Sequence, residues 1–209
     1  FASGGITGML VDMLNTGMFQ KLLDVQCFDR AAVKSIAENK RHIEISASRY
    51  ASPEAKSNVV QQLDVVILGA TEIDLAFNVN VHTDSGGVIM GGSGGHSDTA
   101  AGASMSMIIA PLFRARLPSI VDRVTCISTP GKDVDVLLTQ YGMAVNPLRP
   151  DLRERFQTAG LPVFDIRELK MKAEKICGVP RPVKRKDRTV ALVRSRDGEI
   201  LDRICQLED

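Results

Sequence analysis

An open α/β sheet of parallel and mixed strands, with flanking helices and a C-terminal hairpin, is the fold this sequence predicts. Helix-period and strand-period apolar stretches alternate along the chain, which argues against an all-β sandwich or a helical bundle. The run LDVVILGA at 63–70 is almost unbroken and rich in β-branched residues, the pattern of a strand buried on both faces. Asp197-Gly198 divides two alternating segments and marks a tight hairpin turn.

In chain order, GMLVDMLNTGMF at 8–19 reads as an amphipathic helix, and LLDVQC, ending at Cys27, as a short strand. Asp29 can accept from helix amides and cap a helix running through Ala37. HIEIS at 42–46 alternates like a strand, and Ser52-Pro53-Glu54 opens a further helix with Ser as cap and Pro at the first helical position. TEIDLAFNVNVHTD at 71–84 carries the alternation of one or two strands. Ser97 or Asp98 caps a helix of small residues at 99–105, and MIIAP at 107–111 reads as a strand. Two more strands are expected at 123–127 and 134–139, separated by the turn Thr129-Pro130-Gly131-Lys132. Asp151 opens a charged helix that Gly160 ends, and a last helix at 167–177 stops at Gly178 and Pro180.

With 209 residues and 44% apolar content, the chain can bury a core in one large or two small domains. Lys and Arg number 26 against 25 Asp and Glu, so no global field draws the chain to nucleic acid or to an acidic membrane surface. Aromatic residues are 4% with no Trp, which leaves few stacking platforms for bases. Cys27, Cys126, Cys177 and Cys205 lie far apart without a CxxC pair, the usage of reduced thiols rather than of a disulfide scaffold or zinc ribbon. No segment spans a bilayer and no targeting peptide is visible, so a soluble, cytoplasmic chain is expected. A start at Phe1 without Met marks it as a piece of something longer.

Gly86, Gly87, Gly91, Gly92, Gly94 and Gly95 crowd one loop. Glycines let backbone amides approach a ligand closely, and such amides ahead of a helix suit an anion or a developing oxyanion. No Gly-Lys-Ser/Thr follows, and a GxGxxG match beginning at Gly92 fails at Ser97. A plain turning loop is the competing reading, and His96 within GGHSD sharpens the functional one. His42 reads as structural, whereas His82 and His96 flank the loop. Three separated histidines make no metal triad, and no metal site is expected. Glu44, Glu72 and Asp74 sit in apolar strands, where an ionised group needs a partner or a role. RPVKRKDR at 181–188 is either a solvated loop or a docking patch for an acidic partner or phosphates.

TEIDLAFNVNVHTDSGGVIMGGSGGHSDTAAGA at 71–103, VDVLLTQYGMAVNP at 134–147, and LDVQCFD at 23–29 followed by RHIEISASRYASP at 41–53 carry a family resemblance. Over essentially its whole length the chain resembles the second half of citrate lyase alpha chains, the citrate CoA-transferase subunits. The resemblance implies a single CoA-transferase-like domain over 1–209, with the family's N-terminal domain absent and the active site between two related domains. It also implies an exchange in which acetyl-acyl carrier protein and citrate give citryl-acyl carrier protein and acetate. The implied partners are the N-terminal half, the beta chain that cleaves the citryl thioester, and the gamma chain, the acyl carrier protein, in an oligomeric complex. This chain itself would bind no cofactor. It would act on the carrier's phosphoribosyl-dephospho-CoA arm, for which acetyl-CoA is a surrogate.

Related CoA-transferases use a covalent glutamate in a segment that resembles SGGITGMLVDMLNTG at 3–17, where Gly4 or Gly5 stands at the matching place. They often carry Glu-Tyr-Gly where Gln140-Tyr141-Gly142 stands here. Both departures imply direct attack of a citrate carboxylate on the acetyl thioester. On this resemblance His96 and Gln140 are the expected catalytic residues, with His96 and Ser97 orienting carboxylates. Gly91, Gly92, Gly94 and Gly95 would bind the thioester oxygen or its arm, Gln140 with Tyr141 would line the far wall, and Gly142 is expected among the binding residues. Lys184, Arg185 and Lys186 would dock the carrier, and the arginines that pair with citrate stay open. A citramalate lyase alpha chain and a non-catalytic docking or assembly domain are the alternatives. A nucleotide-binding oxidoreductase lacks its fingerprint.

Overall fold

The computed structural model describes residues 1–208. Backbone contacts divide the chain into two compact units, Phe1–Gln62 and Leu63–Asp209. In the first, β1 (Ala2–Ile6), α1 (Gly8–Asn15), β2 (Leu22–Cys27), α2 (Arg30–Glu38) and β3 (His42–Glu44) alternate, and α3 (Ala47–Ala51) follows. The strands form a parallel sheet in the order β1-β2-β3, with Leu22 opposite both Ala2 and His42. Ile6, Val11, Leu14, Leu22 and Ala32 fill the space between sheet and helices.

One carboxylate organises the starts of α1 and α2. Asp29 accepts from Ala32 N at 2.9 Å, as the capping expectation requires, and from Gly8 N at 2.7 Å. Helix α1 ends at Asn15, short of the expected 19, because Gly17 takes φ 82 and turns the chain away. The helix expected to open at Ser52 forms earlier. Ser46 accepts from Arg49 N at 3.1 Å and caps α3, so Ser52 becomes its C-cap.

The second unit contains β4 (Val66–Gly69), β5 (Glu72–Asp74), β6 (Val79–Asn80), α4 (His96–Gly102), β7 (Ser106–Ile109), β8 (Phe113–Arg114), β9 (Leu117–Pro118) and β10 (Ile120–Val121). It continues with β11 (Val136–Thr139), β12 (Gly142–Val145), α5 (Pro150–Thr158), β13 (Val163–Phe164), α6 (Ile166–Cys177), β14 (Arg185–Arg194) and β15 (Ile200–Leu207). Its main sheet has the order β13-β12-β11-β7-β4, in which β4, β7 and β11 run parallel and β12 is antiparallel to β11. Ile166, Leu169 and Ala173 of α6 pack with Ile73, Phe77, Ile108, Leu112, Ile120 and Leu137 in the principal core. Leu152 of α5 covers Val136, Met143 and Val145.

Helix α6 starts on a reciprocal cap between Asp165 and Glu168, and Gly198, at φ 88, closes the expected β14–β15 hairpin. Two strand expectations are corrected. β4 lies at the sheet edge rather than buried on both faces, and Ile67 is 63% exposed. No strand forms at 123–127, because carboxylates take the amides that a neighbouring strand would. Thr125 N donates to Glu72 Oε2 at 2.8 Å, Val124 N to Asp74 Oδ2 at 3.4 Å and Ile127 N to Asp202 Oδ2 at 2.8 Å. The basic run is part strand, since β14 begins at Arg185. Among the described residues no helix is long and apolar enough to cross a membrane, and all four cysteines are free.

Candidate active site

The C-terminal ends of β4, β7 and β11 lie side by side, with Gly69 opposite Ile109 and Ile109 opposite Leu138. In open α/β sheets this edge is where ligands bind. His96 is anchored here: its Nε2 lies 2.8 Å from Gly69 O and its Nδ1 2.7 Å from Thr129 Oγ1. A carbonyl only accepts, so Nε2 carries the proton and the Thr129 hydroxyl donates to Nδ1. Burial holds the imidazole below the usual histidine range, and nearby His82 acts in the same direction. Both ring nitrogens are thereby engaged within the protein.

The glycine loop is tied at its base and open at its tip. Asp84 Oδ1 accepts from Gly86 N and Val88 N, each at 2.9 Å, and Met90 N donates to His82 O at 2.8 Å. His82 Nδ1 lies 2.6 Å from Ser128 Oγ, so Ser128 and Thr129 hold the two flanking histidines. Beyond Met90 the amides of Gly91, Gly92, Gly94 and Gly95 have no protein acceptor among the described residues. Gly91, Gly92 and Gly94 are exposed, and a Cβ at any of them would meet nothing within 4 Å. Gly94, at φ 55, takes the left-handed conformation that glycine favours. Ser97 follows, half-buried in the first turn of α4.

Gln140, Tyr141 and Gly142 form the turn between β11 and β12. Thr139 Oγ1 donates to Gly142 O at 2.8 Å and accepts from Tyr141 N at 3.1 Å. Gln140 is exposed, and its Oε1 accepts from Leu112 N at 2.9 Å, which leaves its amide NH2 to donate outward. Gln140 and the anchor of His96 thus share one edge, two strand spacings or about 10 Å apart. The Tyr141 ring lies under Lys172 Nζ, 4.5 Å from its centroid.

Arg114 was not legible in the sequence. Its guanidinium donates to Ala70 O, just past β4, from a β8–β9 hairpin whose turn residues Ala115 and Arg116 take φ 43 and 67. No Gly or Asn announces that turn. Glu72 and Asp74, by contrast, are staples. Glu72 Oε2 also accepts from Asn80 Nδ2 at 3.1 Å, and Asp74 Oδ1 accepts from Ala76 N and Asn78 N at 2.9 Å.

A cavity of about 950 Å3 is walled by Arg123, Arg181, Arg185 and Lys186, with Asp122 and Asp187 among the acids beside them. Arg185 donates to Thr125 O at 2.7 Å. Of the expected docking residues the cavity includes Arg185 and Lys186 but not Lys184, and it reaches the glycine loop at Ser85 and Gly86 only.

A family model for the alpha subunit of citrate lyase matches residues 1–207. The chain belongs to the citrate lyase alpha subunit family. It is 51% identical over 209 residues to the citrate lyase alpha chain of Escherichia coli and 50% identical to that of Klebsiella pneumoniae, covering 41% of each. A Streptococcus mutans structure, described as an alpha subunit of citrate lyase in complex with citrate, superposes with a TM-score of 0.97 at 48% identity. That match covers 100% of this chain and 41% of the other. The chain therefore spans about two fifths of the length of the citrate lyase alpha chains it matches.

Proposed function

We propose that this chain serves acyl exchange between a carrier thioester and citrate, giving the citryl thioester and acetate. A citrate carboxylate oxygen attacks the acetyl carbonyl and the thiolate leaves, forming an acetyl-citryl anhydride. The thiolate then attacks the citryl carbonyl, and acetate departs with one oxygen from citrate. Each attack passes through a tetrahedral oxyanion, and removing one donor to such an oxyanion costs roughly 10²–10³ in rate. The unpartnered amides of Gly91, Gly92, Gly94 and Gly95 are the observation that carries this reading.

His96 holds the loop in place, Ser97 and the Gln140 NH2 orient carboxylates, and Tyr141 and Gly142 form the wall beside them. Arg114 supplies a guanidinium able to grip a citrate carboxylate. Gly4 or Gly5 stands where the resemblance puts the glutamate of related enzymes, and Gly4, at φ 114, disfavours any L side chain, which supports attack without an enzyme-bound acyl group. Lys184, Arg185 and Lys186 meet the acidic carrier, the gamma chain, and the beta chain cleaves the product.

The test supplies acetyl-CoA and labelled citrate to the protein, by itself and together with the remaining length of its relatives. A citrate-dependent citryl thioester is expected. Carrier binding without any transfer in the complete system would favour a docking domain instead. Replacing Lys184, Arg185 and Lys186 by Ala should weaken carrier binding while sparing turnover with acetyl-CoA.

A further inference from the structure

We propose that Asp24, Cys27 and His42, in the first compact unit, form a binding site for a borderline-soft divalent cation of the Zn2+ type. The parallel register places Leu22 opposite His42, so Asp24, two residues along, projects from the same face of the sheet, and Cys27 closes β2 beside it. Asp24 Oδ2 lies 3.0 Å from His42 Nε2 and 2.8 Å from Cys27 Sγ, and ligand atoms of all three fall within 4.8 Å of one another. Thiolate, imidazole and carboxylate form a donor set suited to Zn2+, with water in a fourth position.

A second observation points to a ligand. Asp24 is 1% exposed, and its Oδ1 is buried without a hydrogen-bond partner. An unsatisfied buried oxygen is costly, and a cation against the carboxylate removes that cost. The surroundings suit ligation as well. His42 Nδ1 lies 3.0 Å from Ser35 Oγ on α2, and a proton donated there frees Nε2 for metal. Cys27 is only half-buried, which leaves an entry path.

The cluster is not arranged as a nucleophile. The thiol faces the carboxylate rather than the imidazole, and burial together with Asp24 pushes it up to about 11. Cation binding would expel the Cys27 proton to solvent and leave sulfur as thiolate. Tetrahedral bond lengths require the present 2.8 Å sulfur–oxygen pair to open by about 0.7 Å and the 3.0 Å nitrogen–oxygen pair by about 0.3 Å.

The experiment strips the protein with chelator and titrates it with Co2+, then with Zn2+ in competition. One Co2+ per chain is expected, with a thiolate-to-cobalt charge-transfer band in the near ultraviolet and tetrahedral visible bands that one Zn2+ abolishes. Cys27→Ser should lose the charge-transfer band, Cys205→Ser should keep it, and Ser35→Ala should weaken binding by about 10–100-fold. Absence of the band in the wild-type protein overturns the proposal. So does a band that survives Cys27→Ser in a sample whose circular dichroism shows it folded.

Discussion

The hydroxyl of Thr129 donates to Nδ1 of His96 across 2.7 Å, while the opposite ring nitrogen donates to Gly69 O. The imidazole is therefore a buried strut between the end of β4 and the segment before β11, with the glycine loop attached to it. Thr129→Val leaves Nδ1 buried without a donor and should lower stability by about 1–3 kcal/mol. Urea denaturation should show a lower midpoint at unchanged slope. Thr129→Ser should restore most of the loss.

His96 and His82 are both held below the ordinary histidine value of 6.5 by burial. The unfolded chain takes up these protons first, so their contribution is complete above that value and is lost as the pH falls below it. The melting temperature should drop from about pH 7 to about pH 5.5, less steeply in His96→Gln. Burial raises the carboxyls of Asp98 and Asp133, which act in the opposite sense. The difference between wild type and His96→Gln isolates the imidazole.

Gly142 has φ 132, and a Cβ there would lie 2.4 Å from the Phe164 ring. Gly142→Ala should destabilise the protein by about 1–3 kcal/mol. Because the same turn presents Gln140, the melting temperature and the proposed citrate-dependent transfer should fall together.

Features written in neighbouring residues were legible in the sequence. The Asp29 cap, the stop of α6 before Gly178 and the Asp197-Gly198 turn each depend on residues a few positions away, and each formed as expected. Features set by distant partners were not. The failed strand at 123–127 depends on Glu72 and Asp74, some fifty residues earlier, and the edge position of β4 depends on strand order alone. The glycine loop was visible as composition, but the engagement of His96 by Gly69 and Thr129 arises only on folding. Arg114 gave no local signal, because its hairpin turns on Ala115 and Arg116 rather than on glycine.

Gln140→Glu keeps an acceptor for Leu112 N, removes the NH2 donor and adds negative charge where the proposed exchange would hold a carboxylate. The fold should persist by circular dichroism, while the KM for citrate rises by about tenfold or more. Gln140→Leu instead strands Leu112 N and should also cost stability.

Direct attack by citrate is tested most sharply by following oxygen. Citrate labelled with 18O in its carboxylates is mixed with acetyl-CoA and an excess of the protein, completed with the remaining length of its relatives, for a single turnover. The released acetate is then weighed by mass spectrometry. Direct attack puts one 18O in each acetate and no label on the protein. Unlabelled acetate, with 18O or an acyl group on a protein carboxylate, would contradict it.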